Sequence, residues 1–155
     1  MANETPLGRT DCGKLCGGKC CKGGENDGMW LFPGEEELLE GKGFEIKKCE
    51  ANSNGFALVC NGSCNRKHRP LACRFFPLFP VIIEEDGIES VKVIADPRAG
   101  LCPLADDEFR QSPRFVRAVR RAGKILAQDK AIHDYLRELS DELVEIMIFK
   151  ERMGE

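Results

Sequence analysis

The chain has 155 residues, a formal net charge of -3, and 42% hydrophobic against 32% charged residues. That is about one domain's length, with enough apolar content for a modest core and no global pull toward nucleic acid or anionic membrane. No run of eighteen apolar residues is present to span a bilayer, and Met1 to Thr10 hold no apolar stretch of the secretory kind, so a cytoplasmic protein is expected.

That location governs how the nine cysteines are read. In a reducing compartment clustered cysteines bind metal or do redox work more often than they form disulfides, and an odd count argues against a fully paired framework. Cys12, Cys16, Cys20 and Cys21 lie within ten residues, separated by three, three and no residues. Gly13, Gly17, Gly18, Gly23, Gly24 and Gly28 predict a loop over residues 1–28, because each glycine costs a helix about 1 kcal/mol relative to alanine. Lys14, Lys19 and Lys22 are placed to offset thiolate charge.

Met29 to Phe32 is an apolar segment ended by Pro33, and Glu35 to Glu40 predicts a short acidic helix stopped by Gly41. Residues 44–49 and 56–60 read as strands joined by the turn Asn52-Ser-Asn-Gly55, a hairpin that delivers Cys60 to a strand end. A second dense segment follows, in which Cys60 and Cys64 repeat the three-residue gap and Cys73 comes eight residues later. Pro70 can open a short helix carrying Cys73, and Pro77 and Pro80 rule out its regular continuation. Residues 81–83 and 88–95 flank Glu84-Glu-Asp-Gly87 as a second hairpin, and Cys102 falls in the loop after Asp96-Pro97.

Ser112-Pro113 is an N-cap with proline at the first helical position. The helix it opens places Phe115, Val119, Ala122 and Leu126 on one face, and Arg110, Arg114, Arg117, Arg121 and Lys124 on another. Asp129 caps a second helix whose apolar face is Ile132, Leu136, Leu139, Leu143, Ile146 and Met147, edged by Asp134, Glu138, Asp141 and Glu145. The expected fold is α+β: a small, cysteine-rich, loop-rich metal-binding domain with short β-hairpins and a C-terminal helical hairpin. It is read as a single domain over 1–155, with the cysteine-cluster part at 1–110 and the helical hairpin at 111–155. The acidic stripe is expected to neutralise the arginine stripe across that hairpin, which argues against nucleic-acid binding and leaves a nucleic-acid-binding module on the arginine helix as an alternative function.

Cys12, Cys16, Cys20 and Cys21 form one quartet, and Cys60, Cys64, Cys73 and Cys102 supply a second. Side chains of neighbours such as Cys20 and Cys21 usually diverge, so one of that pair can serve a different metal. Eight thiolates permit two four-cysteine sites, or one cluster plus spare thiols. Thiolate-only ligation suits zinc or an iron–sulfur cluster. The glycine-rich three-residue gaps, looser than the two-residue knuckle of many zinc sites, lean toward the cluster. Arg69 and Arg74 are candidate donors to cluster sulfur or to an anionic ligand, or partners for the acids of the short helix. His68 is a possible substitute ligand, and Cys49 is the best candidate for a spare thiol. No phosphate-binding glycine loop, Ser/His/Asp set or paired metal-binding histidines stand out.

The run ending Gly18-Lys19-Cys20-Cys21, joined to Cys60-x-x-x-Cys64 and Arg69-Pro-Leu-Ala-Cys73-Arg-Phe-Phe-Pro77, resembles the YkgJ-type cysteine-cluster family (CxxCxxCC), described as zinc- or iron-chelating proteins. The resemblance covers about residues 10 to 105, with three-residue gaps where the family commonly has two. It implies that Cys12, Cys16, Cys20, Cys21, Cys60, Cys64, Cys73 and Cys102 are the ligands. Flagellin lysine methylases, much longer proteins, carry a similar cluster, which adds an alternative: an enzyme component using an open iron–sulfur site with S-adenosylmethionine.

Overall fold

A computed structural model of the chain describes residues 4–8, 10–22, 28–60, 62–105 and 111–154. Gly23, Gly24 and Arg110 of the patterns above lie outside the described residues. The fold is α+β, built from two small antiparallel sheets and a set of helices.

Local signals account for the first sheet. Strands β2 (Glu45–Lys48) and β3 (Phe56–Val59) pair antiparallel around the expected turn, where Gly55 adopts φ +79°. Strand β1 (Gly28–Trp30) joins the other edge of β3, giving the order β1-β3-β2. That pairing needs glycine at 28, because a Cβ there would stand 2.9 Å from the Leu58 carbonyl oxygen. Asn52 does more than turn the chain. Its buried amide donates to the Leu31 and Phe56 carbonyls at 3.0 and 2.6 Å, fastening the turn to the segment after β1.

The cysteine loop holds a single turn of helix, α1 (Gly13–Cys16), and a 3₁₀ turn at Lys19–Cys21, rather than loop throughout. The acidic helix is α2 (Glu35–Leu39), and its first residue is buried. One Glu35 carboxylate oxygen accepts the Phe32 N–H at 2.9 Å and the other accepts the Leu71 N–H at 2.7 Å. Leu71 opens α3 (Leu71–Phe75), so this one side chain ties the Cys73-bearing helix to the first sheet. Burial pushes its carboxyl pKa up, against the downward pull of the two amides.

Strands β4 (Leu78–Glu85) and β5 (Ile88–Ala95) form the second sheet, a hairpin closed by Asp86 and Gly87, both at positive φ. Pro77 follows a cis peptide bond, and β4 begins directly after it. The helix stops before the two prolines, as expected, but the strand expected from residue 81 starts at Leu78 and takes in Pro80. The physical reason is its position: alternate N–H groups of β4 face away from β5, and Pro80 shares that outward parity with Ile82. The Ile82 N–H donates to Ser140 Oγ at 2.8 Å, so helix α5 (Lys130–Met153) covers this edge.

Helix α4 (Pro113–Leu126) starts at the expected Ser112-Pro113, and the Asp129 carboxylate caps α5 by accepting the Ile132 N–H at 3.1 Å. The principal packing of both helices is against the β4–β5 hairpin rather than against each other. Phe115, Val119, Tyr135, Leu136, Leu139 and Leu143 are buried there. Phe32, Phe75, Phe79 and Tyr135 form a contiguous ring cluster, with Phe32 centroids 5.2 to 5.9 Å from the other three. Since Phe75 lies in α3, that cluster fixes the Cys73 helix against the helical layer.

The expected cross-hairpin neutralisation of the two helices is absent among the described residues. Arg137 of α5 pairs instead with Glu84 and Glu89 of the sheet, and Asp134 pairs with Lys130 on its own helix. The hairpin keeps the two charged stripes apart. No helix is long and apolar enough to cross a membrane among the described residues.

Candidate metal centre

Cys20 is exposed and the other eight cysteines are half-buried. Eight of the nine line two adjoining cavities. Cys12, Cys16, Cys20 and Cys102 border the smaller, about 20 Å³, together with Phe76, Pro77 and Leu104. Cys21, Cys60, Cys64 and Cys73 border the larger, about 300 Å³, with Arg69 and Arg98 beside them. Cys20 lines both, as does Lys19.

Electrostatic neighbours follow these two groups, except that Cys20 and Cys21 act on each other across the boundary. The Cys12 thiol is pushed up by burial first, then by Asp11, Cys102 and Cys16. Burial and the adjacent Cys21, then Cys12 and Cys16, raise Cys20 to about 12. Cys21 is raised by burial and by Cys60, and Cys73 by burial and by Cys21, Cys60 and Cys64, with Arg69 opposing. Thiols that disfavour one another's ionisation stay protonated at neutral pH unless a cation replaces the protons.

The partition differs from the quartets read along the sequence. On the 3₁₀ turn at Lys19–Cys21 the expected divergence of the neighbouring side chains is not found: the two sulfurs lie 4.0 Å from each other, yet only Cys20 reaches the smaller cavity. Cys20 thus joins the α1 thiols, and Cys21 joins those of the 60–73 segment. Cys102 arrives from the loop after β5 to complete the first group. Among the described residues, no three Cys, His, Asp or Glu side chains stand at the spacing that would hold an ion. The groups are neighbourhoods of thiols, not closed coordination shells.

Several polar contacts hold these segments together. Asp11, just before the first cysteine, forms an ion pair with Arg66, and that pair lowers the Asp11 pKa. It links the 12–21 loop directly to the 60–73 segment. Arg69 Nε donates to Cys64 Sγ at 3.4 Å. Arg74 touches no sulfur in the described contacts; it donates to the Arg69 and Lys67 carbonyls at 2.6 and 2.7 Å, and so braces the backbone that presents Arg69. His68 lines a different groove, and Cys49 borders neither cysteine cavity. His133 lies on α5, 2.9 Å from Glu89.

Sequence reasoning passed over Arg98, which borders the larger cavity. Its guanidinium donates to both Asp96 carboxylate oxygens, at 2.9 and 2.7 Å, and lies about 5 Å from the ring centres of Trp30 and Phe79. The Asp-Pro-Arg turn was the available signal, since aspartate readily accepts from the backbone two residues on, as Asp96 does from Arg98 at 2.9 Å. Met29, Phe44, Leu58 and Leu101 make the apolar wall.

No family model, curated protein or solved structure matches the chain.

Proposed function

We propose that this chain is a metal-binding protein with two thiolate sites, one using Cys12, Cys16, Cys20 and Cys102, the other Cys21, Cys60, Cys64 and Cys73. The observation that supports the reading is that eight cysteines border two adjoining cavities, five on the larger and four on the smaller, with Cys20 on the wall common to both. Four sulfurs are the usual complement of a structural zinc ion or of an iron–sulfur cluster. The donor chemistry fits either, and the YkgJ-type resemblance points the same way. Space separates them: a cavity of about 20 Å³ suits a single ion, whereas about 300 Å³ leaves room for a cluster at the second set. When bound, the metal supplies cross-links between loops and, as a cluster, electron transfer. The protein's part is to bring thiols from four segments together, and to aim Arg69 at the Cys64 sulfur.

Anaerobic purification with metal analysis and an absorption spectrum tests this. A brown protein with visible thiolate-to-iron bands is the expected outcome. A colourless protein holding zinc keeps the two-site reading and removes the cluster. A protein with no tightly held metal overturns the proposal.

The apolar wall and Arg98 beside the larger cavity favour a second reading, an enzyme component with an open iron position. Binding of S-adenosylmethionine by the reduced protein supports it. Four sulfur ligands on every metal at both sites would rule it out.

A further inference from the structure

A groove of about 580 Å³ runs between α2, the Arg66–His68 turn with α3, and the C-terminal end of α4, bordered by no cysteine among the described residues and sharing Arg69 with the larger cysteine cavity. Its apolar floor includes Leu38, 74% exposed, and Ile125, 56% exposed, which is unusual solvent contact for two neighbouring aliphatic side chains. Lys42, Lys67 and Arg74 stand along it. The one lining acid, Glu35, already has both oxygens engaged by backbone amides. Arg117, Arg121 and Lys124 extend this positive character along the exposed side of α4 and have no ion-pair partner among the described residues.

The complementary surface is on the same chain. The C-terminal half of α5 exposes Ile148 and Phe149, at 44% and 63%, on a face that also carries Asp141, Glu142 and Glu145, all exposed. An acidic helix with outward apolar side chains is the partner that a basic groove with an aliphatic floor fits. Nucleic acid fits it less well. Single-strand binding faces stack bases on aromatic rings, and Phe149 of α5 is the only aromatic among the described large hydrophobics that are exposed.

We infer that the chain self-associates, with the C-terminal half of α5 from one copy seated in the α2–α4 groove of another. This inference stands independently of the metal sites. Sedimentation velocity on the full chain as purified, from about 5 to 200 μM, tests it. Expected is a mass rising above that of one chain with concentration, and an apparent Kd at least tenfold weaker at about 500 mM than at about 50 mM salt. The groove-side variant K42E/K67E and the helix-side variant E142K/E145K should each remain monomeric, and their mixture should regain association. I148S/F149S, which changes no charge, should also be monomeric while keeping the wild-type circular dichroism and metal content. A wild-type chain that is monomeric throughout, or single-sided variants that associate as the wild type does, overturns the inference. Salt-sensitive binding of an RNA oligonucleotide or of a polyglutamate peptide without self-association overturns it in favour of that partner.

Discussion

Serine substitution along the two thiol sets gives a graded prediction for metal content. Changing Cys73→Ser removes one sulfur from the 21/60/64/73 set and leaves the 12/16/20/102 set intact, because Cys73 borders only the larger cavity. With four thiolates to a site, the wild type holds about two metal centres, and Cys73→Ser should lose one of them. Cys102→Ser should likewise lose one, but the other one. Cys20→Ser, on the wall common to both cavities, should empty the first set and weaken the second. Cys49→Ser should leave content unchanged. Metal analysis per chain, with sulfur counted by X-ray absorption, reads the pattern directly. If Cys73→Ser and Cys102→Ser each strip all the metal, the eight thiols serve one indivisible site. If neither changes metal content, the assignment of ligands is wrong.

Metal binding should release protons, since Cys12, Cys20, Cys21 and Cys73 are all raised above the ordinary thiol value. Affinity measured in competition with a chelator should therefore rise with pH through neutrality; a flat profile refutes thiolate ligation. For the metal-free protein the sign runs the other way. A folded pKa raised from 9.0 toward about 12, as at Cys20, means that the folded state holds the proton longer than the unfolded chain does. The stability this contributes is fully present below pH 9.0 and is lost as pH climbs toward 12, which alkaline denaturation of the chelated protein will show. Arg69→Ala, removing the donor to Cys64 Sγ, should weaken metal binding by about tenfold to a hundredfold with the fold retained; unchanged affinity excludes a role for that contact. Gly123→Ala in α4 would set a Cβ 2.6 Å from Pro80 Cβ and 3.0 Å from Val91 Cγ1. About 1 kcal/mol of helix propensity is gained and up to about 3 kcal/mol of overpacking is incurred, so a net loss of about 2 kcal/mol in urea unfolding is expected. Equal or greater stability would mean that the hairpin yields.

What could be read along the chain was whatever neighbouring residues settle among themselves. The Asn52–Gly55 turn, the Ser112-Pro113 helix start and the Asp129 cap depend on side chains and dihedrals within a few residues, and each is found where expected. The pairing of Cys102 with the α1 thiols was not legible, because the intervening chain must first fold around the Phe32–Phe75–Phe79 cluster. The early start of β4 was missed for a related reason: whether a proline interrupts a strand depends on which edge its nitrogen faces, and only the docking of α5 decides that. The α5 acids were matched to the α4 arginines from chain proximity, yet a β-hairpin supplies the main packing surface of each helix. Glu35, read only as the start of a short acidic helix, is a buried link between the segment after β1 and the Cys73-bearing helix.

The bond from the Ile82 amide to Ser140 spans 58 residues and bears on how this protein is made. β4 is rich in apolar and β-branched residues, and on its outer edge the Ile82 amide is met by Ser140 of α5. While a ribosome has released the chain only as far as α4, that edge is open to strands of other nascent chains. Aggregation during synthesis should therefore respond to damage in the middle of α5 more than to damage in the cysteine loops.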